Sequence, residues 1–171
     1  MSGAAPFGWI VPLTDLPPAG REIMRTLNEE ECARLAQHAG IEAVKSLSGK
    51  AFIRPWANGI EVEITFTADV VQACVVTLEP VSDHIEGAFA RRYLPGLDGD
   101  ESGEIELSLG EEEPPEPLNG DTIDLAPALA EELILALNPY PRAPGAAIPE
   151  QARDTAGASP FAVLERLKPK S

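Results

Sequence analysis

Apolar residues recur at every second position in several stretches of the chain, and this pattern predicts β-strands. In FGWIVPL, Phe7, Trp9 and Val11 share one side of a predicted first strand. Asn58-Gly59 is a strong hairpin signal and joins AFIRPW to IEVEITFT. In that second strand the predicted inward-facing residues are Ile60, Val62, Ile64 and Phe66, and the outward-facing ones are Glu61, Glu63, Thr65 and Thr67.

The stretch VVQACVVTL is apolar on both faces, which predicts a central strand of the sheet. Pro80 is expected to end this strand, because proline cannot donate a hydrogen bond to a neighbouring strand. HIEGAFARRYL predicts a further strand, with Ile85, Phe89 and Tyr93 on one side. Consecutive strands with short links predict an antiparallel sheet, either open or closed into a barrel.

Two stretches have the apolar spacing of helices. In LNEEECARLAQHAG, Asn28 and Glu31 predict a capping box, and Gly40 predicts the C-terminal end. The predicted apolar stripe consists of Cys32, Leu35, Ala36 and Ala39. In LAPALAEELILAL, Asp124 is the predicted cap, and the predicted buried face carries Leu129, Leu133 and Leu137. The predicted class is α+β: an antiparallel sheet with a few packed helices and a long acidic loop.

The chain divides into two predicted regions. Residues 1–141 are expected to form one α+β domain, with an acidic loop at about residues 95–120 that could contain a short strand, EIELSL. Residues 142–171 are expected to be irregular and to end in a short helix, FAVLERLK. LPPAGRE, near the N-terminus, is interpreted as a turn-rich connector.

Charge is distributed unevenly along the 171 residues, whose formal net charge is −15. From Tyr93 to Pro141 there are 13 acidic residues and no Lys, Arg or His; the rest of the chain has 15 acids against 13 bases. A block of one sign repels phosphate backbones and attracts basic partners. A solvated loop with no partner is the alternative interpretation.

The sequence offers little for catalysis or metal binding. Cys74 lies among valines, so we expect a buried thiol with a raised pKa and no reactivity; Cys32 is interpreted in the same way. The sequence has no CxxC or HxxxH pattern, which would predict a zinc site, and no glycine-rich loop, which would predict a phosphate site. DGDESGEIE, residues 98–106, matches the start of a calcium loop, but Leu109 stands where a bidentate glutamate is needed. We therefore expect no enzyme, no cofactor and no metal. The absence of an apolar run of 18 residues and of a basic N-terminal region predicts a cytoplasmic protein.

Three motifs occur in a characteristic order: CVVTLEPV at residues 74–81, DTIDLAPALAEELILALNPYP at residues 121–141, and SPFAVLERLK at residues 159–168. With this order and spacing the chain resembles the YceD family of large ribosomal RNA subunit accumulation proteins. The resemblance implies a role in 23S rRNA accumulation and large-subunit biogenesis, without an established enzymatic activity. Many members carry a cysteine cluster after the EELILAL helix, whereas this chain has no cysteine there. The resemblance therefore does not imply a metal site in this chain.

Two functional hypotheses follow. In the first, an acidic face binds a basic ribosomal protein or a large-subunit precursor particle. Its candidate residues are Glu79, Glu111, Glu112, Glu113, Glu131 and Glu132. In the second, a small basic patch of Arg54, Arg91 and Arg92 binds rRNA directly, although the net charge disfavours a broad phosphate contact. A purely structural interpretation, in which the family motifs define a strand end, a helix cap and packing, competes with both.

Overall fold

The computed structural model of the protein describes residues 5–96 and 114–147. Within these residues it has two helices and seven strands in the order β1, β2, α1, β3, β4, β5, β6, β7, α2. The helices are α1 (Glu29–Ala39) and α2 (Ala126–Ala136). The strands are β1 (Ile10–Pro12), β2 (Arg21–Thr26), β3 (Ala43–Trp56), β4 (Gly59–Ala73), β5 (Pro80–Pro95), β6 (Glu116–Leu118) and β7 (Thr122–Asp124).

The five-stranded sheet has the order β2-β3-β4-β5-β6 and confirms the α+β class. Its first four strands are antiparallel neighbours, whereas β6 runs parallel to β5. The four longer strands thus form the predicted antiparallel sheet, and the three-residue β6 adds a parallel strand at one edge, which makes the sheet mixed. In the described residues β2 and β6 remain as two separate edges, so the sheet does not close into a barrel.

Strand β4 is longer than the sequence pattern predicted. IEVEITFT and the following VVQA form one continuous strand, because Ala68 and Asp69 keep their pairing with both β3 and β5. The expected alternation of buried and exposed residues is confirmed, except that Glu61 is buried. On β5 the predicted face is also confirmed, with Ile85 and Tyr93 buried.

The motif CVVTLEPV is a turn and not the end of a central strand. Strand β4 ends at Ala73, and β5 begins at Pro80, which pairs with Ala73. Pro80 thus starts a strand, a position where the missing N–H is tolerated. Cys74–Glu79 connects the two strands, and the central-strand interpretation of residues 74–78 was wrong.

Strands β1 and β7 form a second, two-stranded antiparallel sheet. Phe7, Trp9 and Val11 are buried as their spacing predicted. The Asp124 carboxylate accepts hydrogen bonds from Trp9 N and Ala126 N, both at 3.0 Å. Asp124 therefore accepts a hydrogen bond from the first backbone N–H of α2, in line with its predicted capping role, although the N-cap position belongs to Leu125.

Helix α1 has the predicted ends. Asn28 Oδ1 accepts from Glu31 N at 2.9 Å, and Glu31 Oε2 accepts from Asn28 N at 3.0 Å, which completes the capping box. Gly40 ends the helix with φ +67°, a left-handed conformation that glycine adopts without strain. Leu35, Leu129 and Leu133 are fully buried and join the helices to the core of the sheet.

Several predictions concern residues that the structure does not describe. They are the strand EIELSL, the loop at 98–106, the helix FAVLERLK, and the candidate residues Glu111, Glu112 and Glu113. The domain boundary at residues 141–142 stays a prediction. Strand β2 was missed because its first residues fall in the segment interpreted as a connector, and only Ile23 packs against the core.

Candidate partner-binding site

The turn between β4 and β5 has a defined backbone geometry. Cys74 N donates to Glu79 O at 2.8 Å, and Leu78 N donates to Cys74 O at 3.0 Å. These bonds hold Leu78 at φ +62°, in the left-handed region that leucine rarely adopts. Leu78 is nevertheless 75% exposed, so the turn displays an apolar side chain from a strained backbone.

The turn is fastened to the segment that follows α2. Gln72 Nε2 donates to Asn138 O at 3.0 Å, and Val75 N donates to Pro141 O at 2.9 Å. Ala143 N donates to Cys74 Sγ at 3.3 Å. Two sequence motifs about sixty residues apart therefore form one structural unit. We call this unit, residues 72–79 together with residues 134–143, the junction.

Cys74 is the buried centre of the junction. Its thiol is fully buried, as predicted. Hydrogen bonds from Thr77, Ala143 and Val76 lower the pKa of this thiol to about 6, against the opposing effect of burial. The expectation of a raised pKa was wrong, because the Thr77 side chain and the backbone N–H groups of Ala143, Thr77 and Val76 surround the sulfur with hydrogen-bond donors. Cys32, in contrast, has a pKa raised chiefly by burial, as expected.

The junction also carries an apolar surface. The described part of the chain has six large apolar residues that are exposed, and four of them belong to the junction: Val75, Leu78, Leu135 and Tyr140. Apolar residues that cluster on a surface mark sites of contact with other molecules. This concentration makes the junction a candidate binding site for a partner.

The structure separates the acidic candidates into groups. Glu79 is exposed on the junction turn and accepts a hydrogen bond from Thr77 Oγ1 at 3.1 Å. Glu131 and Glu132 lie on α2 and both contact Arg91, at 3.4 and 3.0 Å. Arg91 also contacts Glu116 at 2.8 Å. Glu132 is largely covered, whereas Glu131 keeps 66% of its side chain exposed.

The three arginines of the predicted basic patch are all engaged with carboxylates. Glu61 accepts hydrogen bonds from Arg54 and from Arg92, and these bonds lower its pKa. Arg92 also lies over the Trp56 ring, 4.7 Å from its centre. Arg91 faces the glutamates of α2 and β6 instead. The structure therefore does not bring the three arginines together as one uncompensated patch.

A second polar cluster lies on the open face of the sheet. Asp69 accepts from Ser46 Oγ at 2.7 Å, and its other oxygen lies 2.7 Å from His84 Nδ1. The contact with Asp69 raises the pKa of His84. The carboxylate stands between the hydroxyl and the imidazole, whereas activation of a serine needs the imidazole beside the hydroxyl. This order does not create a nucleophile.

Across residues 5–96 and 114–147 no three His, Cys, Asp or Glu side chains are grouped so that they could hold a metal ion. Neither helix in these ranges is long and apolar enough to cross a membrane.

Sequence reasoning missed the apolar surface of the junction and the role of Gln72. Gln72 is the lone polar residue within VVQACVV, and that position was the available signal. Leu135 and Tyr140 could not be found in this way, because their exposure depends on how α2 packs and where the chain turns after it.

A family model described as "Large ribosomal RNA subunit accumulation protein YceD" matches residues 62–168, well over half of the chain. The matched region includes β4 from Val62 onward, the junction turn and α2. No curated protein matches the chain, and no solved structure does.

Proposed function

The chain belongs to the YceD family, and from this membership we propose that it is a non-enzymatic cytoplasmic factor that supports 23S rRNA accumulation and large-subunit biogenesis. It acts by binding a basic ribosomal protein or a precursor particle through its acidic residues. The family description supports the connection with ribosomal RNA accumulation. The identity of the bound partner is the further step of the proposal.

The charge distribution carries this proposal. Thirteen acidic residues without a base occupy Tyr93 to Pro141, and the whole chain has a net charge of −15. A block of one sign in the sequence repels RNA phosphates and accelerates encounter with a basic protein. The protein then promotes the accumulation of ribosomal RNA indirectly, because it protects or delivers a protein that binds the RNA.

Direct RNA binding is less well supported. Arg54 and Arg92 share Glu61, and Arg91 contacts the glutamates of α2. A phosphate would have to displace these carboxylates, which costs the existing charge-assisted hydrogen bonds. These contacts therefore disfavour RNA binding through the three arginines.

The proposal is tested by affinity capture from lysate at increasing salt. The wild-type protein should retain a basic large-subunit protein or a precursor particle at low salt and release it as salt rises, because exposed charges are screened beyond about 8 Å at physiological ionic strength. Glu131→Lys and the triple reversal of Glu111, Glu112 and Glu113 should each weaken retention. Glu79→Lys tests the junction turn.

Glu86→Lys is the matched control. Glu86 is exposed on β5 and lies on the opposite face of the strand from the buried Ile85. Its reversal changes the net charge as much as Glu131→Lys does. Equal retention by all variants, or tighter binding of naked 23S rRNA than of any protein, would show that the acidic residues do not recruit a basic partner.

A further inference from the structure

A groove of about 750 Å³ lies beside the junction turn. It forms where the C-terminal ends of both helices meet the end of β4. Its lining includes Gly40, Glu42, Gln72, Val75, Leu135 and Asn138. Two of the four exposed apolar residues of the junction, Val75 and Leu135, therefore border the groove.

Gln72 lines this groove and carries a covered hydrogen-bond acceptor that has no partner among the described residues. The residue is 9% exposed, and its Nε2 donates to Asn138 O at 3.0 Å. Because a carbonyl oxygen can only accept, this bond fixes the orientation of the amide. The remaining atom, Oε1, has no hydrogen-bond partner among the described residues. A buried acceptor without a partner is unfavourable, so the site favours a ligand that donates.

The electrostatic character of the groove favours a positive charge. Helix α1 ends at Ala39 and α2 at Ala136, so both present the negative end of their dipole here. The Glu42 carboxylate is part of the lining. Within the described ranges the groove is lined by no Lys, Arg or His; the last turn of α2 has no basic residue, and that of α1 has His38, which is not part of the lining.

The walls of the groove are apolar. Val75, Ile134, Leu135 and Pro139 provide hydrocarbon surface. A side chain that suits both the walls and the acceptors needs an apolar stem and a cationic end, which is the chemistry of lysine and arginine. A phosphate group would face the Glu42 carboxylate and the negative ends of both helices, and a wholly apolar side chain would leave Gln72 Oε1 unpaired.

We propose that this groove binds a lysine or arginine side chain of a basic protein segment. The inference rests on the proposed function and names the element of the partner that is recognised. The acidic residues elsewhere supply long-range attraction, which screening weakens. The groove supplies a specific contact near the junction, where the apolar residues can pack against the flanking part of the segment.

The first test is a titration followed by NMR with the full-length protein. The probes are short capped peptides with one central lysine or arginine, and the same peptide with norleucine at that position. The charged peptides should cause saturable shifts of the Gln72 side-chain amide and of the Gly40 and Val75 backbone amides. Equal shifts from the norleucine peptide, or displacement of the lysine peptide by a single-stranded RNA oligonucleotide, would overturn the inference.

The second test uses two variants and the Glu86→Lys control. Glu42→Lys places a cation in the groove, and Gln72→Leu removes the acceptor. Each should weaken the affinity for the lysine peptide about tenfold, the usual effect of losing one contact to a charged group. Glu86→Lys should leave it unchanged. Glu42 is exposed, so its substitution keeps the test valid even where Gln72→Leu disturbs the fold. Unchanged affinity in Glu42→Lys would overturn the inference.

Affinity capture separates this inference from the proposed function. Wild-type protein that retains no large-subunit protein or precursor refutes the proposed function, and the peptide titration then decides the groove by itself. Wild-type protein that retains a partner, while Glu42→Lys and Gln72→Leu retain it equally well, refutes the groove alone.

Discussion

Ala143 N donates a hydrogen bond to Cys74 Sγ across 3.3 Å, and the two residues are separated by 69 positions in sequence. The bond joins the β4–β5 turn to the segment that follows α2. With the bonds from Gln72 to Asn138 and from Val75 to Pro141, it makes the two regions one unit. Changes at Cys74 should therefore affect the shape of the candidate binding surface.

Cys74 should react slowly with thiol reagents although its pKa lies below 7. The pKa of about 6 gives mostly thiolate at neutral pH, but the side chain is fully buried and a reagent must wait for local opening. Labelling of a Cys32→Ala variant with iodoacetamide at pH 8 isolates this residue. Its rate should fall far below that of the unfolded protein. A rate equal to that of the unfolded chain would show that the turn is open in solution.

The stability difference between wild-type protein and Cys74→Ser should depend on pH. The thiol has a pKa of about 6 when folded and 9.0 without the fold. Below pH 6 both states are protonated and the thiol contributes no pH-dependent stability. The contribution grows from about pH 6 to pH 9, because the unfolded state then binds more protons, and is constant above that range. Denaturant unfolding at several pH values measures it, and parallel curves for the two proteins would contradict the low pKa.

Gly87→Ala should destabilise the protein. An added Cβ at Gly87 would overlap the buried Phe66 ring, which lies on the neighbouring strand. Overpacking of this kind costs about 1–3 kcal/mol. Gly8→Ala is the control, since a Cβ there meets no atom within 4 Å. Urea denaturation of both variants gives the comparison, and equal midpoints would mean that Phe66 moves aside without cost.

The elements that sequence predicted well are those whose signals are local. The capping box of Asn28 and Glu31, the hairpin at Asn58-Gly59 and the inward face of β4 depend on neighbouring residues. The turn at residues 74–79 was misread because apolar residues there resemble a buried strand, and the hydrogen bonds that close the turn, from Cys74 N to Glu79 O and from Leu78 N to Cys74 O, have no signal in the sequence pattern.

The same distinction applies to the candidate site. The junction depends on contacts between residues more than sixty positions apart, which no local pattern contains. The acidic residues could be found by composition, but their pairing could not. Glu131 and Glu132 meet Arg91 only because α2 packs near β5.

Arg91→Met should cost more stability than the loss of an ordinary surface charge. Arg91 is largely covered, with 17% of its side chain exposed, and it contacts Glu116, Glu131 and Glu132. Its removal leaves these carboxylates close together without the guanidinium, and like charges repel. We expect a loss of about 1–3 kcal/mol, between the values for an exposed and a buried pair, because only Arg91 and Glu132 are substantially covered. Lys50→Met is the matched control, because the exposed Lys50–Glu22 pair should contribute less than about 1 kcal/mol. Glu132→Gln should partly restore the stability of Arg91→Met by removing one of the repelling charges. Urea denaturation of the single variants and the double variant decides the matter: a cost for Arg91→Met no greater than that for Lys50→Met would show that Arg91 does not stabilise the packing of α2 against β5.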